Sequence, residues 1–411
     1  MKQLIIINEC SIATKYGVGT YTDQLIQCMA DDYEWEVNVI ELFCPTVSEL
    51  SIQNKNGIHY YQFPILEYYG NEKYYTKINS RYYKSVFYIL APFINKEITI
   101  VHFNFVHGYE LATLLKTIST VKIVLTLHYT TWSFEFLGER ERIEKILVNP
   151  ITKSEKRIKG EFEREQKFMK ECCDQIIAIA RHSKEMIESL YGIEKQKVSL
   201  ISNAIRDEFV KIEKEEKIRI REKYNFSRDE NIFIFAGRLE KVKGILILID
   251  AFKLLLKIYP NSKLIISGTG DFTTCLESSN PVWSKIVFTG FVKKAQLYEL
   301  FSICDIGIVP SIHEEFGLVA LEMMMNSLPL IVGKTSGLDE IVTNDCGCKI
   351  KISDESKESA IDLMNAMVKL LRKRTDAENF ATNARKFYLS NYELNGFQHR
   401  MKNKYYQLCQ K

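Results

Sequence analysis

Short aliphatic runs, each closing on a loop and followed by a stretch free of helix breakers, recur along this chain. They fall at 4–7, 36–42, 98–103, 122–127 and 176–180 in the first half. In the second half they fall at 232–236, 264–267, 286–292, 305–310 and 329–332. Strand-like runs alternating with helical stretches argue for a parallel, doubly wound α/β sheet rather than a sandwich or a bundle. At 411 residues the chain is long for one core, so two such domains are the expectation. The run 198–205 closes the first half and the charged helix 213–224 opens the second. The boundary is therefore placed after residue 205.

Composition narrows the function classes. Apolar content of 46% and charged content of 26% are those of an ordinary globular protein. A net charge of +3 gives no global field for nucleic acid. The ten cysteines show no regular metal-ligand spacing. Cys172-Cys173 are adjacent, and Cys346-Gly347-Cys348 lacks a companion pair. Reduced thiols in a cytoplasmic protein are the simplest account. The apolar part of Met1–Ile7 is too short for a signal peptide and reads as a buried first strand. No run approaches the ~20 residues that span a bilayer.

Chemistry concentrates between Ser311 and Met325. Gly317 suits a strand-to-helix junction, and the free N–H groups at such a helix start attract anions, phosphates above all. Glu314 and Glu315 can serve merely to stabilise that helix end. Glu322 is harder to dismiss, because it lies among Leu318-Val319-Ala320-Leu321 and Met323-Met324-Met325, where a carboxylate must reach water or find partners. Vicinal hydroxyls, such as those of a ribose, would supply them. Arg238 and Lys243 flank another helix start, 237–245. Cations there oppose the helix dipole, so a bound anion such as a diphosphate explains them better than solvation. Near the start of the chain, Gly17 and Gly19 precede a helix over 22–29. They form either a phosphate-approach loop or a simple turn, because the pattern is neither a P-loop nor a full G-x-G-x-x-G. His128 closes the strand 122–127, where open α/β sheets place ligands. His102 is a weaker candidate at the end of the preceding strand.

Two segments stay open between readings. Residues 68–94 mix tyrosines with Lys73, Lys77, Arg81 and Lys84. That composition suits a membrane-interface helix, an amphipathic helix packed on its own sheet, or an acceptor surface. Residues 153–170 interleave acids and bases and read as a solvated helix face.

The motifs together resemble the retaining glycosyltransferases of family four. Glu314, seven residues, then Glu322, with Phe316, Gly317, Leu318, Val319, Leu321, Met324 and Pro329 in register, is similar to their E-x7-E stretch. Glu315 and Ser327 stand where that family usually has glycine. Residues 237–244 resemble its G-R-x-x-x-x-K-G segment, 268–271 its G-x-G turn, 337–342 its G-x-x-E-I-V turn, and 198–205 the segment closing its first domain. The loop 16–21 is similar to its glycine loop, with Tyr16 and Thr20 substituted. Residues 126–129 resemble T-x-H-D, with Tyr129 for the aspartate.

The resemblance implies a GT-B fold, with two Rossmann-like domains facing across a cleft. These would be 1–205 and 206–391, with a C-terminal helix at about 392–411 crossing back to the first. It implies a nucleotide diphosphate sugar, UDP- or GDP-linked, as donor, no metal or other cofactor, and a hexose moved to an acceptor hydroxyl. Arg238, Lys243, Glu314 and His128 would be catalytic. Gly17, Gly19, Val292, Phe316, Gly317, Leu318, Val319 and Glu322 would hold the nucleotide sugar. A non-catalytic nucleotide-sugar sensor, an epimerase and a phosphorylase are the alternatives. A cytoplasmic site with a peripheral membrane contact through 68–94 is compatible with either half of that reading.

Overall fold

The computed structural model describes residues 2–10, 17–30, 32–65, 75–94, 97–353 and 357–410, with side chains in 75–94 from residue 80 onward. The chain divides into two compact units, Met1–Asn203 with Asn395–Lys411, and Ala204–Leu394. The sequence reading places those limits at 205/206 and 391/392. Among the described residues no helix is long and apolar enough to cross a membrane.

The first unit is built on β1 (Lys2–Glu9), β2 (Trp35–Cys44), β3 (Ser51–Lys55), β4 (Ile58–Pro64), β5 (Thr99–Phe103), β6 (Val121–Leu127), β7 (Gln175–Ala178) and β8 (Val198–Leu200). They form one sheet in the order β3-β4-β2-β1-β5-β6-β7-β8. Every pairing is parallel except β3 with β4. Every residue of β5 and β7 is buried, as expected of strands covered by helices on both faces. The β3–β4 hairpin is absent from the sequence reading. Its signal was present in Asn56-Gly57, whose φ values of 55° and 83° are those of a two-residue hairpin turn.

Three helical expectations change. The first helix runs Gly17–Met29, so Gly17 and Gly19 are not a loop ahead of a helix. They occupy its first turn, with Val18 buried beneath them. Tyr16 and the residues before it back to 11 lie outside the described residues. The helix Lys153–Lys167 is not uniformly solvated, because Ile158, Phe162 and Glu165 are buried. In the helix Tyr75–Leu90, Tyr82 and Tyr83 are buried while Arg81, Lys84 and Tyr88 are exposed. Tyr82 stacks on Phe43 at 4.3 Å, which is the geometry of an amphipathic helix on its own sheet. The rest of the tyrosine-rich segment, 66–74, lies outside the described residues. The helix Leu394–Cys409 lays Phe397 and Tyr405, both fully buried, into the first unit.

The second unit carries β9 (Asn231–Ala236), β10 (Ser262–Ser267), β11 (Ile286–Gly290), β12 (Ile306–Val309), β13 (Leu330–Gly333) and β14 (Cys348–Ile350). The sheet is wholly parallel, in the order β11-β10-β9-β12-β13-β14. Numbered within the unit this is 3-2-1-4-5-6, the dinucleotide-fold order, whose direction reverses between its first and fourth strands. The reversal here lies between β9 and β12. Ligands of such sheets sit beyond the carboxyl ends of the two strands at the reversal. Those ends are Gly237 onward and Pro310 onward, the two stretches singled out in the sequence.

Candidate functional site

The connection leaving β9 is short and tightly tied. Gly237 N–H donates to Ser267 O, Leu239 N–H to Thr269 O and Asp271 N–H to Leu239 O, while Gly268 N–H donates to Gly290 O. The loops after β9, β10 and β11 are thereby stitched into one rim. A turn at Lys241–Lys243 then leads through Gly244 into the apolar helix Ile245–Leu256. Gly244 is left-handed at φ 68°, and a Cβ there would lie 1.9 Å from Pro310 O. Only a glycine lets this rim close against the strand end at Pro310. Ile312 N–H donates to Val242 O at 2.8 Å, locking the two connections together.

That closure brings Lys243 to Glu314. Lys243 Nζ lies 2.6 Å from Glu314 Oε2, with side chains only 13% and 18% exposed. Ser311 Oγ donates to the same oxygen at 3.2 Å. Glu314 O in turn accepts from Gly337 N–H at 3.1 Å, so the E-x7-E stretch and the turn after β13 hold one another. Arg238 lies on the same connection as Lys243, yet its Nη1 donates to Glu240 Oε1 at 2.7 Å. Its side chain is 30% exposed, so its guanidinium has water-facing donors that an anion can take up.

The helix Leu318–Met325 begins at Gly317 with φ 105°. Leu318 and Val319 are half-buried at its start. Phe316 points inward: it is 3% exposed and meets Tyr392 edge-on at 5.9 Å. Its side chain is therefore core, and only its backbone remains for a ligand. Glu322 is buried, and burial raises its pKa, opposed chiefly by the nearby Lys294 charge. Among the described residues its carboxylate takes one hydrogen bond, from Tyr298 Oη at 3.3 Å. A carboxylate has about four acceptor positions, so most of its capacity stays open. Val292 lies two residues past β11, half-buried between exposed neighbours.

The first unit holds its own polar cluster at the strand ends. His128, just past β6, has its pKa pushed down to about 3 by burial. It contacts Asn104 Oδ1 through Nε2 at 3.3 Å, and Asn104 donates to Asn8 Oδ1 at 2.8 Å. The ring of Tyr21 meets it edge-on at 4.6 Å. His102 is likewise pushed down to about 3, by burial and then by His128. It is held between Tyr405 Oη at 2.6 Å and Thr126 Oγ1 at 2.7 Å, which makes it a fully used structural histidine. Gly17 and Gly19 share the helix of Tyr21 and Thr22, and Thr22 Oγ1 reaches Asn8 Oδ1 at 3.3 Å.

Sequence reasoning missed Tyr298, Ser311 as a partner of Glu314, Glu240, and the Asn8–Asn104 pair. It also missed the buried Glu165, which accepts from Tyr191 Oη and lies 3.5 Å from Thr131 N. Ser311 was readable, because three residues before Glu314 is within reach of its carboxylate. Glu240 was readable too, two residues from Arg238, whereas Tyr298, the Asn8–Asn104 pair and Glu165 meet their partners across 24 or more positions and carry no local signal.

Comparison with known proteins places these features in a family. The profile described as "Glycosyl transferases group 1" matches residues 216–387, and "Glycosyltransferase Family 4" matches residues 16–209. An uncharacterized glycosyltransferase of Methanocaldococcus jannaschii is 37% identical over 176 residues, 42% of this chain and 45% of that protein. The chain spans less than half the length of the curated relatives it matches. Among solved structures, the sucrose-phosphate synthase of Thermosynechococcus elongatus has a TM-score of 0.78 at 17% identity, over 99% of both chains. The Anabaena protein HepE in complex with UDP-glucose has a TM-score of 0.71 at 14% identity, over 98% of this chain and 99% of that one. The two half-chain profiles meet end to end, and the fold neighbours span the whole length. The chain belongs to the family-4-type glycosyltransferases of the GT-B fold.

Proposed function

We infer that the protein is a retaining glycosyltransferase that moves a hexosyl group from a nucleotide diphosphate to an acceptor hydroxyl. The observation that carries this reading is the meeting of Lys243 with Glu314 at the reversal of the second sheet, across 71 positions of sequence. In the reaction the bond from the anomeric carbon to the diphosphate breaks, and negative charge grows on the departing oxygen. Preorganised cations and N–H groups aimed at that charge are the largest single source of acceleration in such sites. Lys243, Arg238 and the helix start at Gly317-Leu318 are the groups present for that work. Glu314, held by Lys243 and Ser311, is placed to orient sugar hydroxyls. Glu322 has open acceptor positions for the ribose. The rim at Val292 suits the base.

The acceptor side is assigned to the first unit, where His128 is a neutral imidazole at physiological pH and so acts by hydrogen bonding rather than by charge. The departing phosphate takes the acceptor's proton, which removes the need for a separate base. The reaction proceeds without a metal, because Arg238 and Lys243 neutralise the diphosphate. The HepE neighbour solved with UDP-glucose makes UDP sugars the first donors to screen. A thermal-shift series of UDP- and GDP-sugars tests the donor site, since a ligand at 100 times its Kd adds about 2.7 kcal/mol. Product analysis by NMR, with chelator present, then tests the rest. An α-linked product from an α-linked donor supports retention. An inverted product, hydrolysis alone or an epimerised nucleotide sugar refutes it.

A further inference from the structure

The first sheet carries a second chemically active cluster, which the transfer reaction leaves unused. Cys10 follows β1, and its N–H donates to Leu42 O at 2.7 Å. Cys44 ends β2. Its Sγ lies 2.6 Å from Cys10 Sγ and 3.5 Å from Glu41 O. The approach depends on a local distortion. Phe43, between Leu42 and Cys44, is left-handed at φ 55°, and the β2–β4 register shifts between Glu41 and Cys44. That conformation is strained for a residue with a side chain. It is held in place by Tyr82 Oη, which contacts Phe43 N at 2.8 Å, and by ring stacking. Strain kept by surrounding contacts clusters at functional positions.

We propose that Cys10 and Cys44 form a thiol modification site that low-molecular-weight disulfides convert reversibly to an intramolecular disulfide. A covalent S–S bond is 2.03–2.05 Å, so the sulfurs need only close by roughly half an ångström. Glu41 is the third donor of the cluster, with all ligand atoms within 4.8 Å, and a divalent metal is the rival occupant. Two thiolates at about 2.3 Å from a tetrahedral zinc lie roughly 3.7 Å apart. The pair is already much closer than that, and Glu41 Oε2 is occupied by Gln62 Nε2 at 2.7 Å. Geometry therefore favours the disulfide.

The roles of the two sulfurs differ. Cys44 is fully buried and Cys10 partly exposed, so an incoming disulfide meets Cys10. The hydrogen bond shared with Cys44 holds the Cys10 thiol below its usual range. Each of the other nine thiols is pushed up, Cys44 by that same bond and the rest chiefly by burial. The thiolate is the nucleophile. Cys10 attacks one sulfur of RSSR, forming Cys10–S–S–R and releasing one thiolate. Cys44 then gives up its proton and attacks Cys10 Sγ, expelling the second thiolate. Two cysteines are oxidised and RSSR is reduced to two RSH. The bond ties the exit of β1 to the end of β2, immediately ahead of residues 11–16 and the helix bearing Gly17 and Gly19.

The test treats the full chain with glutathione disulfide, blocks it with N-ethylmaleimide and maps peptides without reduction. The expected result is a Cys10–Cys44 linked peptide that retains no glutathione, with both thiols restored by dithiothreitol. Cys44→Ser should hold glutathione at Cys10, and Cys10→Ser should leave Cys44 at least 10-fold less reactive. Cys10→Ala and Cys44→Ala provide the same readouts if a serine variant melts early. Glutathione on other cysteines without the 10–44 link overturns the proposal. So does a Cys44 variant that leaves Cys10 unmodified. Stoichiometric binding of zinc alone to the reduced protein, lost in Cys10→Ser, would also overturn it by assigning the cluster to a metal.

Discussion

Replacing Lys243 by Met keeps the apolar stem and removes the ammonium, which separates the structural from the functional part of its pairing with Glu314. Breaking a fully buried ion pair costs about 3–5 kcal/mol, whereas an exposed pair is worth about 0–1. With side chains 13% and 18% exposed, Lys243→Met should cost about 2–3 kcal/mol. Among the described residues the Glu314 carboxylate would then keep Ser311 as its one side-chain partner. The second unit spans residues 204–394, and for that size each kcal/mol moves Tm by about 2–4 °C. A fall of roughly 5–10 °C in its transition follows. Lys243→Met/Glu314→Gln removes the stranded charge and should recover much of that loss, with a coupling energy of about 1.5 kcal/mol or more. Nucleotide binding should not follow stability. Both the single and the double variant lose a charge-assisted contact worth about 1.5–3 kcal/mol, roughly 10- to 100-fold in UDP affinity. Differential scanning calorimetry and isothermal titration with UDP measure the two quantities on the same samples. Additive stability losses, or a double variant that regains affinity along with its Tm, would refute the assignment of Lys243 to the diphosphate.

Glu322→Gln removes a desolvated charge, so Tm should hold or rise while UDP affinity falls about 10-fold or more. An unchanged affinity by calorimetry places the ribose elsewhere. Gly244→Ala puts a Cβ into Pro310 O in a left-handed turn. It should lower stability by at least about 2 kcal/mol and weaken donor binding, and a native-like Tm would show that the rim is not closed as described. His102 and His128 are buried neutral with folded pKa near 3 against 6.5 unfolded. The unfolded state therefore binds more protons below pH 6.5, and stability present above 6.5 drains as pH falls, by about 1.4 kcal/mol per unit for each imidazole. His102→Asn should flatten that slope between pH 6.5 and 5 in the unfolding transition followed by Trp35 and Trp132 fluorescence. An unchanged slope contradicts the neutral-buried assignment.

The strand pattern carried the class of fold because buried parallel strands are locally apolar and the helices between them have their own period. The E-x7-E and G-R-x4-K-G spacings named the residues, because a helix start that meets an anion needs a glycine, a cation and an unobstructed backbone within a few positions. The hairpin at Ser51–Pro64 has its signal in Asn56-Gly57, but its edge strand is mostly exposed and lacks the aliphatic run of the others. The composition of Gly17 and Gly19 suggests a loop or turn, yet both lie in the helix Gly17–Met29 beside the buried Val18 and Tyr21, against the local cost of glycine there. Phe316 matches a motif position, but its ring is core. Ser311 with Glu314 and Arg238 with Glu240 are local pairings, but Lys243 with Glu314, Tyr298 with Glu322 and His128 with Asn104 are not. The first exists because β9 lies beside β12 and the last because β5 lies beside β6, while Tyr298 and Glu322 meet from the helices that precede and follow β12; sheet order is decided by long-range burial rather than by any stretch of sequence. The chain's own pattern therefore settled which groups are available, and the tertiary packing decided which of them touch.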